Sequence, residues 1–175
     1  MTPAGRPEFP EFDRHFLESP EEFTVIGSGE LGGKALGLAR IKRMLEAEWQ
    51  PGGFPDFQVG IPRLTVLATD SFDRFMLENG LWDVACSDAS DDRIAHAFLK
   101  ASLPAAIVGD LRGLIERVRQ PLAVRSSSLL EDDIARPFAG VYATKMIPGH
   151  QVDAAARFRQ LAEQYRRDER DIHKQ

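Results

Sequence analysis

A cluster of glycines near the N-terminus separates two different hydrophobic patterns. The four residues before it, Phe23–Ile26, are β-prone, and the residues after it repeat apolar positions every three or four residues up to about Glu48. Glycine adopts backbone conformations that other residues avoid, so such a cluster allows a tight turn. The sequence therefore predicts a strand, a glycine-rich turn and an amphipathic helix. The apolar face of this helix is formed by Ala35, Leu38, Ile41 and Leu45.

Residues 27–32 read GSGELG, which has the glycine spacing of a dinucleotide-binding fingerprint. That fold needs an acidic residue about 20 positions later, at the end of a second strand. Glu46 and Glu48 have this spacing, but they lie in the helical pattern. A Walker-type phosphate loop needs glycine where Ser28 stands and serine or threonine where Ala35 stands. The turn alone is as consistent with an ordinary connection as with a phosphate site. An NAD-dependent oxidoreductase remains a minor alternative, which a parallel sheet centred on the turn would favour.

The rest of the chain mixes short strands and helices without a regular strand–helix–strand repeat. Residues 59–68 predict a strand interrupted near Pro62, and the next helix is capped by Thr69 or Asp70 and ended by Asn79 and Gly80. Further helices are predicted at about 91–101, 104–119 and 151–172, and further strands at 122–124 and 139–147. The predicted class is α/β in the broad sense (α+β), with mixed or antiparallel pairing.

Proline and charge divide the chain into three predicted regions. Residues 1–22 contain four prolines among acidic residues, which predicts an irregular arm that its phenylalanines pin to the body. Residues 23–150 form the predicted domain. Residues 151–175 predict a charged helix whose end, RRDERDIHKQ, is expected to be solvated.

The composition argues against several classes of function. Lys and Arg number 22 against 27 Asp and Glu, a formal charge of −5. This balance argues against a broad nucleic-acid surface, but a nucleotide needs only one or two well-placed cations. The sequence shows neither an apolar run of the roughly 18 residues that a membrane helix needs nor a hydrophobic signal core. We therefore predict a cytoplasmic protein with no nucleic-acid or membrane partner. The single cysteine, Cys86, excludes an internal disulfide and is predicted to be buried.

Residues 121–133 place an arginine, three serines and three acids after an apolar run. Arg125 carries a rigid, permanently charged fork that suits phosphate oxygens, and the serines add hydroxyls. The alternative is an arginine at a strand end that pairs with Glu131 or Asp132. From the residues alone, these two interpretations are equally supported.

Residues 137–146 place a small-residue turn at Ala139 and Gly140 before a β-prone run. This pattern is typical of a flexible flap over phosphates, to which Thr144 adds a hydroxyl. A plain hairpin explains the same residues.

Four stretches together resemble a known family: GGK at 32–34, IPRLTVLAT at 61–69, AVRSSSLLED at 123–132 and PFAGVYAT at 137–144. Their order and spacing resemble the N-terminal ATP-binding (PEP/pyruvate-binding) domain of the phosphoenolpyruvate synthase and pyruvate phosphate dikinase family, over about residues 31–147. The resemblance implies an ATP-grasp-like first lobe in which Lys34 and Arg125 contact the phosphates of ATP. It also implies a glycine-rich loop above the phosphates, formed by Gly140, Val141, Tyr142, Ala143 and Thr144.

The chain also departs from the family pattern. Val141 and Ala143 stand where members often have glutamine and aspartate, so the loop here is less polar. Family enzymes continue into a second lobe with the adenine pocket and metal-binding acids, and into a phosphohistidine domain and a pyruvate-binding barrel. The resemblance therefore implies Mg²⁺ ligands outside this chain, these domains as partners, and no turnover by the chain alone. Catalytic residues remain unassigned. The alternative function is a non-catalytic regulatory or interaction module that retains the fold.

Overall fold

The computed structural model describes residues 9–16, 18, 22–48, 59–126, 144–149 and 153–173. These residues contain six helices and four strands, and the strands pair into two small sheets. This mixture is consistent with the predicted α/β class. The elements are β1 (Phe23–Ile26), α1 (Gly33–Glu48), β2 (Leu64–Leu67), α2 (Thr69–Glu78), α3 (Leu81–Ala85), α4 (Asp91–Lys100), α5 (Ala105–Arg117), β3 (Leu122–Val124), β4 (Lys145–Ile147) and α6 (Ala154–His173).

The first sheet pairs β1 and β2 in parallel, and α1 connects them. Part of the N-terminal arm lies along the other side of β1. The Phe12 N–H donates to the Val25 carbonyl at 2.7 Å, and the Val25 N–H donates to the Pro10 carbonyl at 3.0 Å. The Phe9 ring packs against Phe23, with centroids 5.3 Å apart. β1 therefore has neighbours on both sides, and the predicted pinning of the arm by phenylalanines is confirmed.

The second sheet pairs β3 and β4 in antiparallel register, with Leu122 opposite Ile147 and Val124 opposite Lys145. β3 has its predicted bounds, whereas β4 is described only from Lys145. The rest of its predicted range, 139–143, lies outside the described residues.

A large apolar core lies between α2, α3, α4, α5 and α6 and extends to the second sheet. Its least exposed side chains are Phe75, Met76, Phe98, Leu111, Ile115 and Ile147. Burial of one such side chain contributes about 1.5–3 kcal/mol, so this core holds the helices together. A smaller cluster around Leu31, Ala35, Val66 and Ala68 lies between α1 and the first sheet.

The apolar face of α1 is only partly buried. Ala35 and Ala39 are covered, but Ile41 is 49% exposed, so the prediction for Ile41 is wrong. The physical reason is length. α1 has 16 residues and extends about 24 Å, whereas β1 and β2 have four residues each and extend about 13 Å. The strands therefore cover only the first half of the helix.

The charged helix α6 packs against α4, α5 and β4. The expectation of a solvated end is wrong for Asp168 and Glu169, which are 8% and 7% exposed. Tyr165 and Leu161, about one and two turns before Glu169 on the same helix, are also buried. A helical face that buries these apolar side chains carries the polar residues next to them inward as well.

Arg157 of α6 is buried with no exposed surface, and it donates to backbone carbonyls. Nη1 donates to Ile115 at 3.0 Å and to Val118 at 2.5 Å, Nη2 to Gln120 at 3.3 Å, and Nε to Pro148 at 3.1 Å. The last carbonyls of a helix lack intrahelical partners, and Arg157 satisfies those at the end of α5. Burial lowers the pKa of Arg157, although arginine remains protonated in proteins.

Cys86 is exposed at the end of the short helix α3, so its predicted burial is wrong. Leu81 and Ala85 of α3 join the core, and Cys86, the residue after Ala85, lies on a different face of the helix. In the described part of the chain, no single helix is both long and apolar enough to span a membrane. Among the same residues, α4 and α5 reach that length and composition when taken together, but they are bent by 75°.

Candidate functional site

Lys34 is the second residue of α1, and its side chain reaches the end of β3. Its Nζ donates to the Ser126 carbonyl at 2.9 Å across a sequence separation of 92 residues. Ser126 directly follows Arg125, the other predicted phosphate ligand. The fold therefore brings the start of α1 to the segment that carries Arg125.

The register of the second sheet predicts that Thr144 lies opposite Arg125. Val124 opposite Lys145 is the last pair of that ladder. In an antiparallel ladder the next pair is formed by the residue after one and the residue before the other, here Arg125 and Thr144. Both residues are exposed. Lys34, Arg125 and Thr144 thus belong to one end of the β3–β4 sheet.

The other predicted site residues, Gly140, Val141, Tyr142 and Ala143, lie outside the described residues. Glu131 and Asp132, the alternative partners of Arg125, lie outside them as well. The glycine-rich loop and the ion pair of Arg125 therefore both stay predictions.

The glycine turn is held by the first residues of α2. The Ser28 and Gly29 N–H groups each donate to Asp70 Oδ1 at 3.0 Å, and the Glu30 N–H donates to Thr69 Oγ1 at 2.9 Å. The backbone amides of residues 28–30 therefore all donate hydrogen bonds to side chains at the start of α2. Thr69 and Asp70 do not cap α2, whose N-cap is Ala68 without a side-chain bond, so the capping prediction is wrong. Their side chains bind the turn instead.

The ionised Asp70 carboxylate is stabilised by this turn. Burial raises its pKa, but hydrogen bonds from the Gly29 and Ser28 amides and the Ser28 hydroxyl, with the positive charge of Arg74, outweigh burial. The pKa of Asp70 therefore lies below its ordinary value of 3.8. Gly27, at φ +96°, has the left-handed conformation that favours glycine. The turn is an anion-binding concavity that an internal carboxylate fills.

The geometry of the glycine turn bears on the dinucleotide-binding alternative. The parallel pairing of β1 with β2 around the glycine turn meets one of its conditions. In that fold, however, the amides of the turn bind a pyrophosphate. Here Asp70 and Thr69 accept from the amides of residues 28–30. The occupied turn therefore argues against an NAD-type site.

Two further polar features bear on what the site can hold. Ser126 is buried, and its hydroxyl has no hydrogen-bond partner among the described residues. Within the same residues, no group of three His, Cys, Asp or Glu side chains is placed to hold a metal ion. The described part of the site thus carries cationic side chains and hydroxyls, and the Mg²⁺ ligands stay a prediction.

The described residues form a mixed α/β domain in which Lys34, Arg125 and Thr144 lie at the same end of the β3–β4 sheet. Arginine and lysine side chains bind phosphate oxygens in many proteins. Residues 28–168 match the family described as pyruvate phosphate dikinase, AMP/ATP-binding domain. The match covers well over half of the chain, and the protein therefore belongs to this family. No curated protein and no solved structure matches the chain.

Proposed function

We propose that this chain forms the phosphate-binding part of an ATP site in a phosphotransferase of the phosphoenolpyruvate synthase and pyruvate phosphate dikinase type. The Lys34–Ser126 hydrogen bond carries the proposal, because it joins the start of α1 to the end of β3, where Arg125 and Thr144 lie. Membership in an AMP/ATP-binding domain family supports a nucleotide as the ligand.

Each side chain has its own part in the proposed site. Arg125 presents a planar fork that can bind two phosphate oxygens, and Lys34 adds a compact positive charge. Thr144 adds a hydroxyl, and the N-terminus of α1 adds positive potential. Phosphoryl transfer depends mainly on positioning and on neutralising charge, which is what these groups provide. ATP itself supplies the phosphoryl group when bound.

The proposal places this site in an ATP-grasp-like first lobe. The adenine pocket and the Mg²⁺ ligands then belong to a second lobe of a longer protein, and a phosphohistidine domain accepts the phosphoryl group. The family resemblance supports this division. On this proposal, the chain alone binds ATP weakly and does not turn it over.

One observation favours a second candidate, a non-catalytic regulatory or interaction module. The amides of residues 28–30, which a phosphate-binding glycine turn would use, donate to Asp70 and Thr69 instead. The apolar Val141 and Ala143 in the predicted loop favour the same candidate. The two candidates differ in whether the chain binds nucleotide.

Calorimetric titration of Mg-ATP into the chain tests the proposal. We expect Lys34→Met and Arg125→Gln each to weaken binding roughly tenfold to a hundredfold, because a hydrogen bond to a charged group contributes about 1.5–3 kcal/mol. Lys100→Met and Arg93→Gln change the same residue types at exposed positions of α4 and serve as matched controls. They are expected to bind as the unchanged chain does.

Three results would count against the proposed site. Equal weakening in the control variants would indicate a general charge effect. Unchanged affinity in the Lys34 and Arg125 variants would place the ligand elsewhere. The absence of binding by the folded chain, repeated with a longer polypeptide that extends beyond Gln175, would favour the non-catalytic module.

A further inference from the structure

We propose that Asp70 is an internal competitor of phosphate at the glycine turn, residues 27–30. Its carboxylate occupies the amides that would otherwise bind a phosphate, and it thereby confines the phosphates of a bound nucleotide to the part of the site that carries Lys34 and Arg125. This second part rests on the proposed function. The occupied turn is a property of the ligand-free chain and can be tested with inorganic phosphate alone.

The contacts of Asp70 are those of a bound anion. Oδ1 accepts from the Ser28 and Gly29 amides, each at 3.0 Å, and Oδ2 accepts from the Ser28 hydroxyl at 3.3 Å. Concave arrangements of successive backbone amides bind anions in many proteins. A phosphate group can accept the same three hydrogen bonds, because its oxygens are strong acceptors.

The close approach of the carboxylate depends on Gly27. This residue has a φ of +96°, and a Cβ atom there would lie 2.5 Å from Asp70 Oδ1. A side chain at position 27 would therefore take the place of the bound oxygen. Because position 27 is glycine, the backbone can approach an acceptor oxygen closely, as it must in a phosphate site.

The occupied turn lies at the surface of the protein. Ser28 and Thr69 are exposed and Asp70 is only half-buried, so a dissolved anion can reach the turn once the carboxylate is removed. The positive charge of Arg74 acts on the Asp70 carboxylate and would attract a phosphate in the same way. Glu30 is an acidic residue of the turn, which opposes this attraction and keeps the affinity for free phosphate modest.

Covalent attachment gives Asp70 an advantage over a dissolved anion. The carboxylate is held beside the turn at a high effective concentration, so free phosphate does not readily displace it. A nucleotide that enters the site then meets an occupied turn, and its phosphates bind at Lys34 and Arg125 instead. Asp70 thus determines which part of the strand, turn and helix segment binds phosphate.

Titration of inorganic phosphate, followed by the NMR shifts of the Ser28 and Gly29 amides, tests the proposal. We expect Asp70→Ala to show saturable shifts at both amides and to bind phosphate there at least roughly tenfold more tightly than the unchanged chain, because the competing charge-assisted bonds are gone. Asp73→Ala removes the same charge from an exposed position of α2 and is the matched control, which should show no such shifts.

Asp70→Asn provides a second variant in case the alanine substitution prevents folding. The hydrogen bond from the Glu30 amide to Thr69 remains in both variants and keeps the turn attached to α2. Asparagine is neutral but still offers an acceptor, so we expect a phosphate affinity between those of the unchanged chain and Asp70→Ala. The absence of saturable shifts at residues 28 and 29 in the variants that circular dichroism shows to be folded would overturn the proposal. Equal shifts in the unchanged chain or in Asp73→Ala would overturn it as well.

The same titration separates this proposal from the proposed function. A shift of the Arg125 amide in the unchanged chain, without shifts at residues 28 and 29, supports phosphate binding confined to the Lys34 and Arg125 part of the site. If Arg125 does not respond in any variant while the turn of Asp70→Ala binds phosphate, the proposed function fails and the competition by Asp70 stands.

Discussion

Asp70 packs closely against the glycine turn. A Cβ atom at Gly29 would lie 2.4 Å from the Asp70 nitrogen and 2.6 Å from Thr69 Oγ1. Backbone atoms cannot move aside as the end of a flexible side chain can. The absence of a side chain at Gly29 therefore matters because of what packs against it, in addition to the conformational freedom that glycine offers.

Gly29→Ala tests this constraint. We expect it to lower the free energy of unfolding by about 1–3 kcal/mol, the usual cost of forcing atoms into a packed site. Gly37→Ala is the matched control, because a Cβ atom there meets nothing within 4 Å and the residue lies inside α1. Alanine in a helix interior should raise stability by about 0.5–1 kcal/mol. Urea denaturation measures both values, and equal effects of the two substitutions would contradict the contact.

The helix α6 connects parts of the fold that are far apart in sequence. The Arg157 side chain of α6 donates hydrogen bonds to carbonyls at the end of α5, in the connection to β3 and just after β4. Through Tyr165, α6 reaches α2. The helix is highly charged, yet its inner face fixes both the second sheet and the helix that holds the glycine turn.

Arg157→Met should be among the most damaging substitutions in the chain. It keeps a long side chain but leaves buried carbonyls without donors, and we expect a loss of about 3–5 kcal/mol in the free energy of unfolding. Arg159→Met removes an exposed arginine of the same helix, whose guanidinium lies 3.7 Å from Asp153. This control should lose less than about 1 kcal/mol. Chemical denaturation compares the two, and a similar small loss in both would show that Arg157 is not the connecting residue.

Two carboxyl groups, those of Asp70 and Glu169, make the stability of the protein depend on pH in opposite directions. The pKa of Asp70 is depressed in the folded state, so its contribution is present above its ordinary value of 3.8 and is lost as the pH falls through the folded pKa. The pKa of Glu169 is raised from 4.5 to about 8. Its contribution is present below 4.5 and is lost as the pH rises through the folded pKa.

We therefore expect the free energy of unfolding to decrease as the pH rises from about 5 to about 8, by at most about 1.4 kcal/mol for each pH unit. Within this window the folded chain binds a proton at Glu169 that the unfolded chain has released. Urea denaturation at several pH values measures the slope. Glu169→Gln has no such proton and should give a flatter profile, and an unchanged slope in this variant would assign the effect to another group.

The local elements were largely predictable from neighbouring residues. The predicted strand at Phe23–Ile26, the helix at Gly33–Glu48 and the strand at Leu122–Val124 all have the observed bounds. Hydrophobic periodicity, proline and glycine act over a few residues, so they determine where strands and helices begin and end. The short helix α3 was not predicted, since its five residues are too few to show a helical period.

The candidate site was predictable only in part. Lys34, Arg125 and Thr144 were identified from residue type and family resemblance, but their association depends on the Lys34–Ser126 contact and on the β3–β4 register. Asp70 was assigned to a helix cap because a cap is the local role of an acid at a helix start. Its actual partners, Ser28 and Gly29, are about 40 residues earlier in the chain, as the separation of 41 between Gly29 and Asp70 shows.

Side-chain chemistry and short-range periodicity were enough to predict the class of fold and the bounds of most elements, whereas the phosphate-binding residues stay a prediction from residue type and family resemblance. The packing of the elements determined three features that short-range patterns could not predict: Asp70 fills the glycine turn, Arg157 and Glu169 are buried, and Ile41 on the apolar face of α1 stays exposed. Burial and hydrogen-bond partners depend on which elements pack together, and that packing joins residues as far apart as Lys34 and Ser126.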